Sequence, residues 1–393
     1  QWPWTRIAAL VAPRALLFVN SDHDSIFPMD ANQRVINRLE RVYSLYGASD
    51  FVDSIVSIGG HAYRQDIRQA AYRFINIHLK NDAGMVDDSE VDLVTGSGDD
   101  RKHPIEPERL RVFPEDSDIP KDELNTTIDQ HFVPLARVDP PEKGSYETWK
   151  AAILAELRRV SFRYFPERIP SARLIEQVEP DTVQLESAPG IRVRLQYAEQ
   201  LESPKDAKRV LMVVQGPDST ERISDWVRRV YEPGDHLYVC TPRGVDQTRW
   251  TRKNPPNYVE RSHVLLGRTV DTGRVWDIVA AARYLRAKYD NNDIPIHVVG
   301  EGAAGVLAAY AALWDAEIAG VILRNPPPSH MNAEAPQFLN VLRVCDVPEV
   351  LGMLAPRPLT VYDNDGGLLG KVAETYTAAG APEKLVRKRD NID

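Results

Sequence analysis

Long apolar runs, cysteine pairs and an excess of basic charge are all missing from this chain, and each absence narrows what it can be. No apolar stretch approaches the roughly 20 residues that cross a bilayer, so no helical membrane span and no membrane partner are expected. The formal net charge is −9, which argues against nucleic acid or an anionic surface as the main partner. The cysteines are two, Cys240 and Cys345, both in apolar surroundings. That is too few for a disulfide framework or a structural zinc site; they read as buried thiols, no metal is expected, and the compartment stays open. What remains is ordinary globular material, 43% hydrophobic and 27% charged over 393 residues, enough for about two to three domains.

Periodicity divides the chain into three parts. Residues 1–81 alternate strand and helix: Ala15–Asn20 and Phe51–Ile58 are short apolar strand runs, and Asn32–Tyr46 and Tyr63–Leu79 carry helical spacing. This β-α-β-α grammar belongs to a parallel sheet, yet two strands are too few for a stable sheet. Residues 82–145 are acidic and proline-rich (VDDSE, PEDSD, DPPEKG) and read as a linker or a draped segment. Residues 146–393 open with a helix at Trp149–Phe165. Strands follow at Thr182–Leu185, Ile191–Tyr197, Val210–Gln215 and Leu237–Cys240. Then come a helix at Val275–Tyr289, a strand at Ile294–Val299, a helix at Val306–Trp314, and strands at Val321–Arg324 and Leu359–Tyr362. Strand pairs followed by alternating strand and helix predict an α/β fold.

A repeat links the two ends. LVAPRALLFVNSDHD near the start recurs as MLAPRPLTVYDNDGG near the end, with Ala12-Pro13-Arg14 matching Ala355-Pro356-Arg357. The simplest reading is two related units in tandem, the first present only as its last two strands. APRALLFVNSDHDSIFP followed by SIVSIGGHAYRQ resembles the final third of α/β-hydrolases of the acetyl xylan esterase and dienelactone hydrolase-like group. The later stretches LLGRTVDTGRVWDIVAAARYL and HVVGEGAAG resemble the same group. The resemblance implies a mostly parallel sheet flanked by helices, preceded by the C-terminal β-α-β-α piece of a related domain.

It also implies roles. Asp24 would be the triad acid and His61 the base, and the order Ser, acid, His puts the serine upstream of Gln1. The chain is then expected to be the C-terminal part of a longer carboxylic-ester hydrolase. It would act on a small ester or acylated carbohydrate, need no cofactor, and make intramolecular contact with the upstream domain. His23, beside Asp24, and His78 read as non-catalytic.

The turn HVVGEGAAG admits two readings. As G-x-G-x-x-G, Gly300–Gly305 would cradle the pyrophosphate of a dinucleotide; the following strand ends in Arg324-Asn325 without an acid, so the cofactor would be NADP. As G-x-S-x-G it is a nucleophile elbow with Gly302 where the serine belongs, and its place in mid-domain favours this second reading. Glycine there removes the hydroxyl and relieves the strain of a left-handed residue. In the repeat, Asp24 falls on Gly367, with Asp363 and Asp365 just before it. Gly47 aligns with Gly380, which puts the counterpart of His61 just past Asp393. The second unit is therefore expected to lack its triad and to serve as a structural module or as a ligand- or partner-binding one. The chain alone is expected to show no triad-dependent esterase activity.

Overall fold

The computed structural model describes residues 3–86, 105–132, 134–199, 207–217, 223–250, 258–289, 293–363 and 367–389. The chain forms two compact units, Gln1–Glu123 and Leu124–Asp393.

Unit 1 holds α1 (Trp4–Ala9), β1 (Leu16–Ser21), α2 (Met29–Leu45), β2 (Val52–Ser57) and α3 (Gln65–Ile75). The two strands run parallel, Leu16 opposite Val52 and Ser21 opposite Ser57. Ile36, Leu39 and Tyr43 of α2 and Ile67 of α3 are buried, which accounts for the helical spacing of apolar residues. Beyond them, the 3-10 turns Pro107–Leu110 and Asp116–Asp118 lie in the acidic segment; its residues 87–104 lie outside the described residues.

Unit 2 opens with α4 (Ile128–Phe132) and α5 (Tyr146–Val160), then β3 (Arg173–Glu179), β4 (Thr182–Ala188), β5 (Ile191–Glu199) and β6 (Arg209–Val214). There follow α6 (Asp225–Val230), β7 (Asp235–Thr241), α7 (Tyr258–Leu265), α8 (Val270–Tyr289), β8 (Ile296–Glu301) and α9 (Gly302–Trp314). The unit closes with β9 (Ile318–Arg324), α10 (Val347–Gly352), β10 (Leu359–Tyr362), α11 (Leu369–Ala378) and β11 (Leu385–Lys388).

 In α11 the helix runs from Leu369 to Ala378. Part of the acidic segment is pinned to this unit: the Ala136 N–H donates to the Leu342 carbonyl, and Lys371 Nζ to that of Val138.

The strands form one nine-stranded sheet in the order β11-β10-β9-β8-β6-β7-β5-β4-β3. β3, β4, β5 and β7 pair antiparallel; β7, β6, β8, β9, β10 and β11 pair parallel. This large, mostly parallel sheet flanked by helices is the α/β architecture expected from the sequence. The parallel strands read as continuous apolar runs because helices cover both faces: β6, β7 and β9 are buried over nearly their whole length. Ala280–Ala282 of α8 and Ala308, Ala309, Ala311 and Ala312 of α9 are buried as well, small side chains that let these helices approach closely. β3 and β11 were not expected from the sequence. Each lies at an edge of the sheet and mixes charged with apolar residues, so neither forms a long apolar run.

The repeated ends share their geometry. Leu16 pairs with Val52 in unit 1 as Leu359 pairs with Leu385 in unit 2, the partners that the two sequence alignments, Arg14 on Arg357 and Gly47 on Gly380, bring together. The buried Tyr43 hydroxyl donates to the Arg14 carbonyl at 2.6 Å, and the buried Tyr376 hydroxyl to the Arg357 carbonyl at 2.8 Å. Gly47 and Gly380 take φ of 65° and 73° at the end of the preceding helix, where a left-handed residue closes the turn.

Candidate functional site

In unit 1 the carboxyl end of β1 runs into a loop that turns on Asp24. Its Oδ1 accepts the N–H groups of Ile26 at 2.8 Å and Phe27 at 3.2 Å, which fixes the carboxylate in a local turn. Oδ2 is left for His61, whose Nδ1 donates to it at 2.7 Å. The Asp24 side chain is 6% exposed and that of His61 64%, so the acid lies just beneath an accessible imidazole. The hydrogen bond from His61 lowers the carboxyl below its ordinary range; desolvation opposes this, and the N–H groups of Ile26 and Phe27 reinforce the lowering. The Phe27 ring stacks against His61 with centroids 6.0 Å apart.

His61 follows Gly59-Gly60 at the end of β2. Gly59 has φ of 131°, and Arg64 pins the loop by donating to the Ser57 hydroxyl, the Ser21 hydroxyl and the Gly60 carbonyl, each at 2.8 Å. Sequence reasoning missed Arg64; its only signal was a cation shortly after the glycine pair. Asp22 braces the same loop, accepting the Gly59 N–H at 2.7 Å and the His23 ring N–H at 2.7 Å. His23 thus turns to Asp22 rather than Asp24, and His78 packs between the rings of Phe51 and Phe74. Asp24 and His61 border a cavity of about 470 Å³ walled by Trp4, Phe18, Phe27, Val35 and Tyr63. Among the described residues, no serine or threonine hydroxyl is hydrogen-bonded to His61.

In unit 2 the turn from β8 into α9 holds Gly302 at φ 54°. A Cβ built on Gly302 would meet open space, whereas one on Gly300 would lie 2.6 Å from the backbone of Ala304 and Gly305. One on Gly305 would lie 2.9 Å from the Gly300 carbonyl oxygen. Ala304 occupies the last glycine position of G-x-S-x-G, and the close approach it would have provided falls to Gly305 instead. The turn faces a cavity of about 310 Å³ walled by Gln215–Pro217 after β6, Trp226, Glu301 and Glu334. It opens at the carboxyl ends of β6 and β8, where the chain order reverses across the sheet and α/β folds receive ligands. Arg324, at the end of β9, donates to Glu301 at 2.8 Å.

Gly367 has open space around its Cβ position and no carboxylate. Asp363 is at the end of β10, its N–H donating to the Lys388 carbonyl; Asp365 lies outside the described residues. Burial pushes both thiols, Cys240 and Cys345, far above the ordinary cysteine range. Among the described residues no cluster of His, Cys, Asp or Glu could hold a metal ion, and no helix is long and apolar enough to cross a membrane.

No family model matches the chain, and no curated protein does. Solved structures do. A protein of Bacteroides fragilis assigned as an acetyl xylan esterase is 12% identical, over 65% of this chain and 78% of its own, with a TM-score of 0.48. A glucuronoyl esterase of carbohydrate esterase family 15 from Caldicellulosiruptor kristjansonii is 13% identical over 67% and 87%, with a TM-score of 0.44. The glucuronoyl esterase catalytic domain from Hypocrea jecorina is 14% identical over 63% and 78%, with a TM-score of 0.42. Similarity at this level carries no functional argument.

Proposed function

We propose that Asp24 and His61 are the acid and base of a carboxylic-ester hydrolase of acetyl xylan esterase type, acting on small esters or acylated carbohydrates. The observation that carries this reading is the 2.7 Å contact between His61 Nδ1 and an Asp24 carboxylate whose other oxygen is already held. With Nδ1–H engaged, the lone pair of neutral His61 lies on Nε2, where it can take the proton of an attacking hydroxyl; Asp24 then stabilises the imidazolium. The hydroxyl is that of a serine earlier in the polypeptide, in keeping with the order Ser, acid, His.

Unit 2 is, on this reading, a hydrolase-fold module without its own triad, since Gly302 supplies no nucleophile and Gly367 no carboxylate. Its second reading is a ligand-binding module using the cavity beside Gly302, supported by the open space there and by its place at the reversal of strand order. The carboxylates of Glu301 and Glu334 in the wall disfavour a dinucleotide phosphate. Loss of xylo-oligosaccharide binding in Gly302→Trp, followed by calorimetry, would support this second reading; equal binding by both proteins would refute it.

The test of the esterase reading is hydrolysis of 4-nitrophenyl acetate by the longest natural form of the protein containing these residues. His61→Ala and Asp24→Asn are each expected to lower kcat about 10³-fold or more. Unchanged turnover in His61→Ala, or none in the unsubstituted protein, would overturn the assignment.

A further inference from the structure

We infer that a second cavity in unit 2, sharing no wall residue with the one beside Gly302, binds a small organic carboxylate with an aromatic body. The cavity measures about 310 Å³, within the range of small-ligand sites. It goes beyond the esterase reading and does not depend on it.

Its apolar side is fixed in place. Phe165 and Trp276 meet edge to face, centroids 5.6 Å apart at 84°, and Trp276 Nε1 donates to the Ser187 carbonyl at 2.7 Å. The indole is therefore held in place in the cavity wall, at little further entropic cost on binding.

Its polar side is cationic. Arg243 is locked by Asp277, which accepts from Nε at 2.8 Å and from Nη2 at 2.7 Å. Among the described residues Arg243 Nη1 has no hydrogen-bond partner, and Gly273 makes room for it: a Cβ there would lie 2.6 Å away. Arg268 is exposed on the rim, and its guanidinium has no hydrogen-bond or ion-pair partner among the described residues. Asp277 offsets the charge of Arg243, so Arg268 supplies the net positive charge.

No aspartate or glutamate is among the wall residues. The start of α8 does not compete for an anion: Thr272 N–H donates to Thr269 Oγ1 at 3.1 Å, and Thr269 N–H to Thr272 Oγ1 at 3.2 Å. A planar guanidinium matches a carboxylate, and the aromatic wall calls for an apolar body that inorganic anions lack.

The test uses the full chain and benzoate as probe, with the Trp276 indole N–H resonance, assigned through Trp276→Phe, as the readout. Benzoate is expected to shift that resonance saturably. Arg268→Gln, an exposed change checked by circular dichroism, is expected to weaken binding about fivefold, and added salt to weaken it in the unsubstituted protein. Benzyl alcohol and inorganic phosphate should each bind more weakly than benzoate. No shift of Trp276, equal affinity for benzyl alcohol or for phosphate, or unchanged affinity in Arg268→Gln would each overturn the proposal.

Discussion

Three glycines in unit 2 make a graded test of why the β8–α9 turn is built as it is. Gly302 is left-handed but roomy, Gly300 is crowded, and Gly367 is neither. An alanine at 302 meets only the backbone penalty of a Cβ at positive φ, about 1–2 kcal/mol. Stiffening of the unfolded chain offsets it by roughly 0.4–1 kcal/mol, leaving a net loss of about 1 kcal/mol. An alanine at 300 sets its Cβ 2.6 Å from the main chain of Ala304 and Gly305. The strand must then move away from α9, at a cost of about 3 kcal/mol or more. Gly367→Ala should stay within about 0.5 kcal/mol of the unsubstituted protein. Urea unfolding followed by tryptophan fluorescence suits the test, because Trp149, Trp226, Trp250, Trp276 and Trp314 all lie in unit 2. With a slope of about 2–3 kcal/mol/M, the midpoint should fall by roughly 0.3–0.5 M for Gly302→Ala and by about 1 M or more for Gly300→Ala. Equal losses at 300 and 302 would mean that 302 requires space rather than a left-handed backbone. No loss at 302 would remove strain relief as the reason for its glycine.

Two further outcomes follow from the packing. Tyr43→Phe and Tyr376→Phe each remove the hydroxyl that holds an Arg carbonyl ahead of the strand, and each should cost about 1 kcal/mol; hydrogen exchange should quicken near Arg14 in the first variant and near Arg357 in the second, and unchanged exchange would refute the brace. His297, on β8, is pushed down to about 4, first by burial and then by Arg209, with Asp235 opposing. The unfolded chain therefore binds the proton more readily between about pH 4 and 6.5. Stability from this group is complete above that range and declines as pH falls through it, by up to about 3 kcal/mol. Nuclear magnetic resonance titration should find His297 neutral at pH 6, and a midpoint near 6.5 would contradict the assigned environment.

Much of the fold was legible. The strands at Val210–Gln215, Leu237–Cys240 and Val321–Arg324 stood out because buried parallel strands are nearly unbroken apolar runs. β3 and β11 did not, because an edge strand leaves one side to water and admits charge. α10 and α11 passed unread: short helices hold few turns over which a period can show. At the candidate site, Asp24 and His61 were readable only through the family resemblance, since a turn aspartate and a loop histidine carry no periodicity. Arg64, which ties three loop groups together, has no pattern of its own.

By itself the sequence determined which segments are apolar enough to be buried, that the APR strand occurs twice, and that Gly302 and Gly367 carry neither hydroxyl nor carboxylate. Those are properties of residues and their local spacing. Only the tertiary structure decided that Asp24 Oδ2 meets His61 Nδ1, that the two repeated strand pairs share one register, and that Gly300 and Gly302 are glycine for different reasons. Each of these depends on segments far apart in the chain, or on backbone angles set by packing, and neither is encoded in any short stretch of residues.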